Sequence, residues 1–157
     1  MFDIGIYALN AARYLTGEEP AEVSGMTYST PGDPRFKEVD EHTVFQLRFP
    51  SGILANGSSS YGYFHQSQYR VMGTEARLGM DPATWYNGNR MWVERDNKIE
   101  QINLADVDQF AAEIDHMSDC VMQGKEPVTP GEEGLKDLTI IEAVYESSRT
   151  GKTVRVG

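Results

Sequence analysis

Cysteine is almost absent from this sequence: Cys120 stands alone among 157 residues, so no internal disulfide can staple the fold. A lone thiol agrees with a reducing compartment, and a cytoplasmic location is expected, with the periplasm as the other option. Basic residues are scarce as well: 14 Lys and Arg face 24 Asp and Glu, for a net charge of −10. Without a Lys/Arg cluster, neither a phosphate backbone nor an anionic membrane surface is an expected partner. No apolar run approaches the roughly 20 residues that span a bilayer, and no secretory signal pattern opens the chain. Also missing is any G-x-G-x-x-G turn, or a βαβ segment to carry one. The chain therefore lacks the glycine-rich cradle that holds a dinucleotide pyrophosphate.

What is present is organised along the chain in three stretches. Residues 2–15 follow a helix pattern without proline, and Gly17 supplies a C-terminal stop. Residues 22–105 switch to short runs rich in Val, Thr, Tyr, Phe and Ile, punctuated by turns such as Pro31-Gly32-Asp33-Pro34 and Asn87-Gly88-Asn89. About seven strands fit there, closely enough joined to be mainly antiparallel; Phe45, Leu47 and Phe49 alternate with Gln46 and Arg48 as one apolar strand face. Two helices follow. Asp106 and Gln109 form a capping-box pattern ahead of a stripe of Val107, Phe110, Ala111, Ile114, Met117 and Val121, closed by Gly124. Thr129-Pro130-Gly131-Glu132 starts the next helix, with Leu135, Leu138, Ile141, Val144 and Tyr145 on its apolar face, before a terminal strand at 153–156. The expected fold class is α+β: a large, open, mostly antiparallel sheet with the helices packed on one face. So few helices leave the other sheet face bare, where Met26, Tyr28 and Tyr61 have no evident cover.

The first helix carries the chemistry. At about 100° per residue, Asp3, Tyr7, Asn10 and Tyr14 fall in a narrow polar stripe on a helix otherwise apolar and expected to be largely buried. A carboxylate and a phenol one turn apart, aimed at a cavity, make an acid/base and substrate-orienting pair. The same residues also fit a helix cap and a packed ring. Elsewhere, His116 and Cys120 are spaced like half a metal site, a pattern that chance produces easily, and no metal is expected. The run SSSYGYFH at 58–65, with Trp85 and Tyr86, gathers aromatics suited either to stacking on sugar rings or to cross-strand packing.

Asp3-Ile4-Gly5-Ile6-Tyr7 resembles the D-x-G-x-[HY] motif that opens the second domain of the glucose–fructose oxidoreductase (Gfo/Idh/MocA) family. The similarity continues through VFQLRFPSG at 44–52, VMGTEARLGMDP at 71–82, and the segments 110–114, 124–127, 130–134 and 143–151. The whole chain, 1–157, is thus expected to be the C-terminal substrate-binding and oligomerisation domain, with the N-terminal Rossmann domain absent. The resemblance implies an NAD(P)-dependent oxidoreductase that moves hydride between nicotinamide and a sugar or polyol carbon. It assigns Asp3 and Tyr7 as catalytic residues, Tyr7 exchanging the hydroxyl proton, and Asn10, where many members have Asp, as a substrate contact. NAD or NADP is the cofactor of the full-length parent, and none is expected on this domain, which alone should be inactive. The partners implied are a small sugar or polyol, the missing nucleotide-binding domain, and a second copy meeting it through the sheet face as a homo-oligomer. A non-catalytic assembly or ligand-binding module derived from the same domain is the alternative.

Overall fold

The computed structural model describes residues 1–156. These form two compact units, Met1–Tyr63 together with the segment from Thr129 onward, and Phe64–Val128. In the first, helix α1 (Gly5–Thr16) precedes strands β1 (Glu22–Tyr28), β2 (His42–Arg48) and β3 (Leu54–Ser60). The second unit holds β4 (Tyr69–Met72), β5 (Arg77–Met80), β6 (Met91–Arg95), β7 (Lys98–Ile102) and helix α2 (Gln109–Gln123). Helix α3 (Gly131–Thr150) and strand β8 (Val154–Arg155) then complete the first unit. The fold is α+β and every strand pair is antiparallel, with seven strands between the first helix and the last two, as the turn spacing implies. The strands form two four-stranded ladders, β3-β2-β1-β8 and β4-β5-β6-β7. Strand β3 ends at Ser60, and one further bond follows, from the Tyr61 amide to the Glu41 carbonyl at 3.0 Å.

In the first unit, β2 shows the expected alternation: Thr43, Phe45 and Leu47 are buried while Val44, Gln46 and Arg48 face away. The buried face meets α1 and α3 through Leu9, Ile140, Ile141 and Val144. Gly25 sits where α3 presses closest, since a Cβ there would lie 2.6 Å from a Val144 methyl. Beside it, the Gly25 and Thr27 amides, beyond the reach of short β8, donate to Ser147 Oγ and Ser148 Oγ at 3.0 Å each. Helix hydroxyls thereby satisfy backbone groups that an edge strand would leave open.

Several local expectations are corrected. The first helix starts at Gly5, with Phe2–Ile4 in a preceding turn, and it is not largely buried: Gly5, Leu9 and Arg13 are covered, whereas Tyr7, Tyr14 and Leu15 are exposed. The buried stripe of α3 is Asp137, Ile140, Ile141, Val144 and Ser147, leaving Leu135 and Leu138 exposed. Polar residues at both ends of that stripe, each with a partner, disguised its direction in the sequence. Asp108, not Asp106, caps α2 by accepting from the Ala111 amide at 3.0 Å. The α2 stripe of Phe110, Ile114, Met117 and Val121 is exposed, and Cys120 is the buried member. His116 Nε2 accepts the Val128 amide at 3.1 Å and lies 3.6 Å from Cys120 Sγ, so both close the end of the helix. Among the described residues, no helix is long and apolar enough to cross a membrane.

Candidate functional site

The turn into α1 is pinned from three sides. The Phe2 ring stacks on Tyr145 of α3 with centroids 5.5 Å apart. The Met1 nitrogen lies 3.0 Å from the Asp40 carboxylate and 3.1 Å from the Tyr145 oxygen. The Tyr145 hydroxyl and Thr43 Oγ1 both donate to the Asp40 carboxylate in short contacts. Burial would raise the Asp40 carboxyl, but these donors outweigh it and hold it below the ordinary value of 3.8. Burial, with Asp40 beside it, pushes the Tyr145 phenol upward.

Asp3, next in that turn, does not cap the helix. Ile4 occupies the cap position, and no side chain bonds there. The Asp3 carboxylate instead accepts the Tyr61 hydroxyl at 2.7 Å. That bond, reinforced by partial desolvation and negative charge, pushes the Tyr61 phenol up to about 12. Tyr61 thus remains a donor that fixes the carboxylate's direction. The residue lies just past β3 rather than on the bare sheet face, where Met26 and Tyr28 are exposed.

Gly5 explains the glycine in the motif. A Cβ would lie 2.6 Å from Met1 Cγ and 2.8 Å from Ser59 Oγ, so a side chain would push α1 away from β3. Tyr7, on the first turn of the helix, is 58% exposed, and its hydroxyl has no hydrogen-bond partner among the described residues. A packed ring would be covered; this phenol stands open to solvent.

Asn10 belongs to a different cluster. Its Nδ2 donates to Asp137 Oδ2 at 3.0 Å, leaving its carbonyl oxygen without a partner among the described residues. Asp137 also receives Nη1 of Arg13 at 2.6 Å, and both of these residues are buried. The other Arg13 nitrogens take Glu19 at 2.6 and 2.7 Å and Glu133 at 2.9 Å. Lys136 joins Glu133 at 2.5 Å. The Glu19 bonds raise Arg13 above its already high value, against its burial, with Asp137 and Glu133 adding to the effect. In sequence Arg13 reads as an interruption of an apolar surface; in the structure it locks α1 to α3. Tyr61 and Arg13 are the residues of this neighbourhood that pattern reasoning passes over. The signal for Tyr61 was the aromatic run in which it sits, and the only hint of Arg13 was a charge on an otherwise apolar helix.

A carboxylate oriented by a phenol, a second phenol free one turn later, and a helix held rigidly behind both can orient a hydroxyl group and exchange its proton. Several relatives of this chain are sugar or polyol dehydrogenases by name. The chain is 34% identical to the D-xylose 1-dehydrogenase [NADP(+)] of Haloarcula marismortui over 99% of its own length and 43% of the relative's. It is 25% identical to the scyllo-inositol 2-dehydrogenase (NAD(+)) of Bacillus subtilis, over 98% of this chain and 46% of that one. The aldose–aldose oxidoreductase of Caulobacter crescentus, solved with glycerol, superposes with a TM-score of 0.93 at 45% identity, over 98% of this chain and 46% of that one. The chain thus spans about half the length of the curated relatives it matches. The family model for the oxidoreductase family, C-terminal alpha/beta domain, matches residues 1–156, and the chain belongs to that family, the Gfo/Idh/MocA oxidoreductases.

Proposed function

We propose that this domain forms the substrate side of an NAD(P)-dependent sugar oxidoreductase, with Tyr7 exchanging the proton of the reacting hydroxyl and Asp3 orienting it. The observation that carries this reading is the open, unpartnered Tyr7 phenol one turn beyond a carboxylate already aimed by Tyr61. The nicotinamide, when bound in the full-length parent, gives or takes hydride at the carbon. The sequence has no glycine-rich turn to hold that dinucleotide, so its cradle belongs to a nucleotide-binding half. Positive charge brought close to the phenol favours release of its proton. Asp3 holds either a cation or the substrate hydroxyl, and its bond to Tyr61 keeps it from swinging away. The free carbonyl of Asn10 accepts a further hydroxyl of the sugar, with its amide nitrogen tethered to Asp137.

The test is made on the chain joined to its nucleotide-binding half. Tyr7→Phe removes one oxygen from an exposed ring, so the melting temperature should hold while turnover falls by about 10²–10⁴-fold. Turnover within a few-fold of the parent would remove Tyr7 from the chemistry. The exposed Met26 and Tyr28 on the sheet face away from α1 and α3 support a homo-oligomer meeting there by two-fold symmetry. Light scattering that finds only monomer at high concentration would exclude that contact.

A further inference from the structure

The second unit contains an open cleft of about 610 Å³, lined by Phe64, His65, Gln66, Asp81, Trp85 and Arg90 among others. That volume lies within the range of roughly 300–1,000 Å³ typical of small-molecule sites. Its walls are ordered by backbone bonds. The Ala83 amide donates to the Ser67 carbonyl at 2.9 Å, and the Thr84 amide donates to Ser67 Oγ at the same distance. Asp81 and Arg90 are joined through the Asp81 amide and the Arg90 carbonyl at 3.0 Å. The Asn89 side chain clamps Trp85 at both backbone groups, accepting from its amide at 2.9 Å and donating to its carbonyl at 2.7 Å.

On these fixed walls the aromatic rings are exposed. Phe64 is 96% and Trp85 48% exposed, although burying such rings would stabilise the fold. Neighbouring Tyr86 behaves differently, packing edge-on against Phe110 at 5.3 Å. The polar rim is open too. Arg90 uses Nε alone, on the Asp81 carbonyl at 3.1 Å. Its two terminal nitrogens, the Asp81 carboxylate and the Gln66 amide have no side-chain partner among the described residues. Flat apolar faces beside a guanidinium fork and a carboxylate match a sugar ring, whose C–H face stacks while adjacent hydroxyls bridge the two charged groups. A carboxylate on the rim and a net charge of −10 disfavour an anionic occupant.

We propose that this cleft is a saccharide subsite that takes an uncharged pyranose ring stacked on Trp85, with its hydroxyls held by Asp81 and Arg90. The proposal rests on the sugar reading above for its ligand class and shares none of that site's residues. The test is an amide and indole NMR titration of the chain with D-xylose and with xylobiose, reading the Trp85 and Trp92 indole N–H signals separately. The Trp85 signal should move saturably while Trp92 stays still. Asp81→Asn and Arg90→Lys, both at exposed positions, should each weaken binding about tenfold. Tyr7→Phe should leave the titration unchanged, so failure here and failure of the proton-exchange reading are told apart. A stationary Trp85 signal, equal movement of both indoles, or binding undiminished in both rim variants would overturn the proposal.

Discussion

Arg13→Ala should be the most damaging single change near the candidate site, for a reason that separates buried from exposed charge. Arg13 is 5% exposed and Asp137 5%, whereas Glu19 and Glu133 reach water. Removing the guanidinium leaves the Asp137 carboxylate buried with Asn10 as its remaining side-chain donor. Breaking a buried ion pair from one side costs about 3–5 kcal/mol, a large share of the roughly 5–15 kcal/mol that holds a domain folded. Glu19→Gln alters a half-exposed partner and should cost less than about 1 kcal/mol. The unit concerned has roughly 90 residues, for which each kcal/mol moves the melting temperature by about 4–8 °C. The difference between the two variants therefore exceeds roughly 8 °C in a circular-dichroism melt. Because the cost lies in the stranded carboxylate, Arg13→Met combined with Asp137→Leu should be more stable than Arg13→Ala alone. Equal melting temperatures for Arg13→Ala and Glu19→Gln, or a double variant that is worse than the single one, would refute the reasoning.

The Asp40 carboxyl is held below its ordinary 3.8, so its contribution to stability is present above that value and disappears as pH falls through the lower, folded value. Urea unfolding of Asp40→Asn should therefore differ most from the parent near neutrality and converge with it in acid; a difference independent of pH would contradict the ionised assignment. Tyr61, raised to about 12, should appear as a late phase in an ultraviolet tyrosine titration, and its bond to Asp3 is kept as pH rises past 10 and lost as pH passes 12. Tyr145 ionises late as well, so Tyr61→Phe is needed to assign the phase. Asp3→Asn should draw that phase back toward 10, and an unmoved phase would show that Asp3 is not its cause.

The elements were legible where one physical signal dominated. Gly17, Gly124 and Gly151 end their helices in the left-handed conformation, with φ of 68°, 62° and 67°, and glycine is the residue that adopts it without strain. The β2 alternation was legible because a strand has one buried face. Readings failed where burial and polarity part company. The stripe of α3 contains Asp137 and Ser147, buried because Arg13 and the Gly25 amide complete them. A periodicity count treats such residues as solvent-facing and shifts the whole face. The α2 stripe has the opposite character: an apolar pattern states that a face can be buried, and it does not say by what.

The motif at the candidate site was read for the wrong geometry, and the correction changes what its spacing means. An i, i+4 pair on a continuous helix would set Asp3 and Tyr7 by helix geometry alone. Here Asp3 sits in a turn outside the helix, so its position depends on distant groups: Tyr145 under Phe2, Asp40 against Met1, and Tyr61 on the carboxylate itself. Those three residues lie 143, 39 and 58 positions away in sequence, beyond the reach of any local pattern. Tyr7 depends instead on the seating of α1, which Gly5 permits by close approach to Ser59 and Arg13 enforces from the other end. The two side chains are thus positioned by separate devices, one polar and one steric. Loosening either device would misplace one partner and leave the other in register, so Tyr61→Phe should disturb the orientation set by Asp3 without moving the Tyr7 ring.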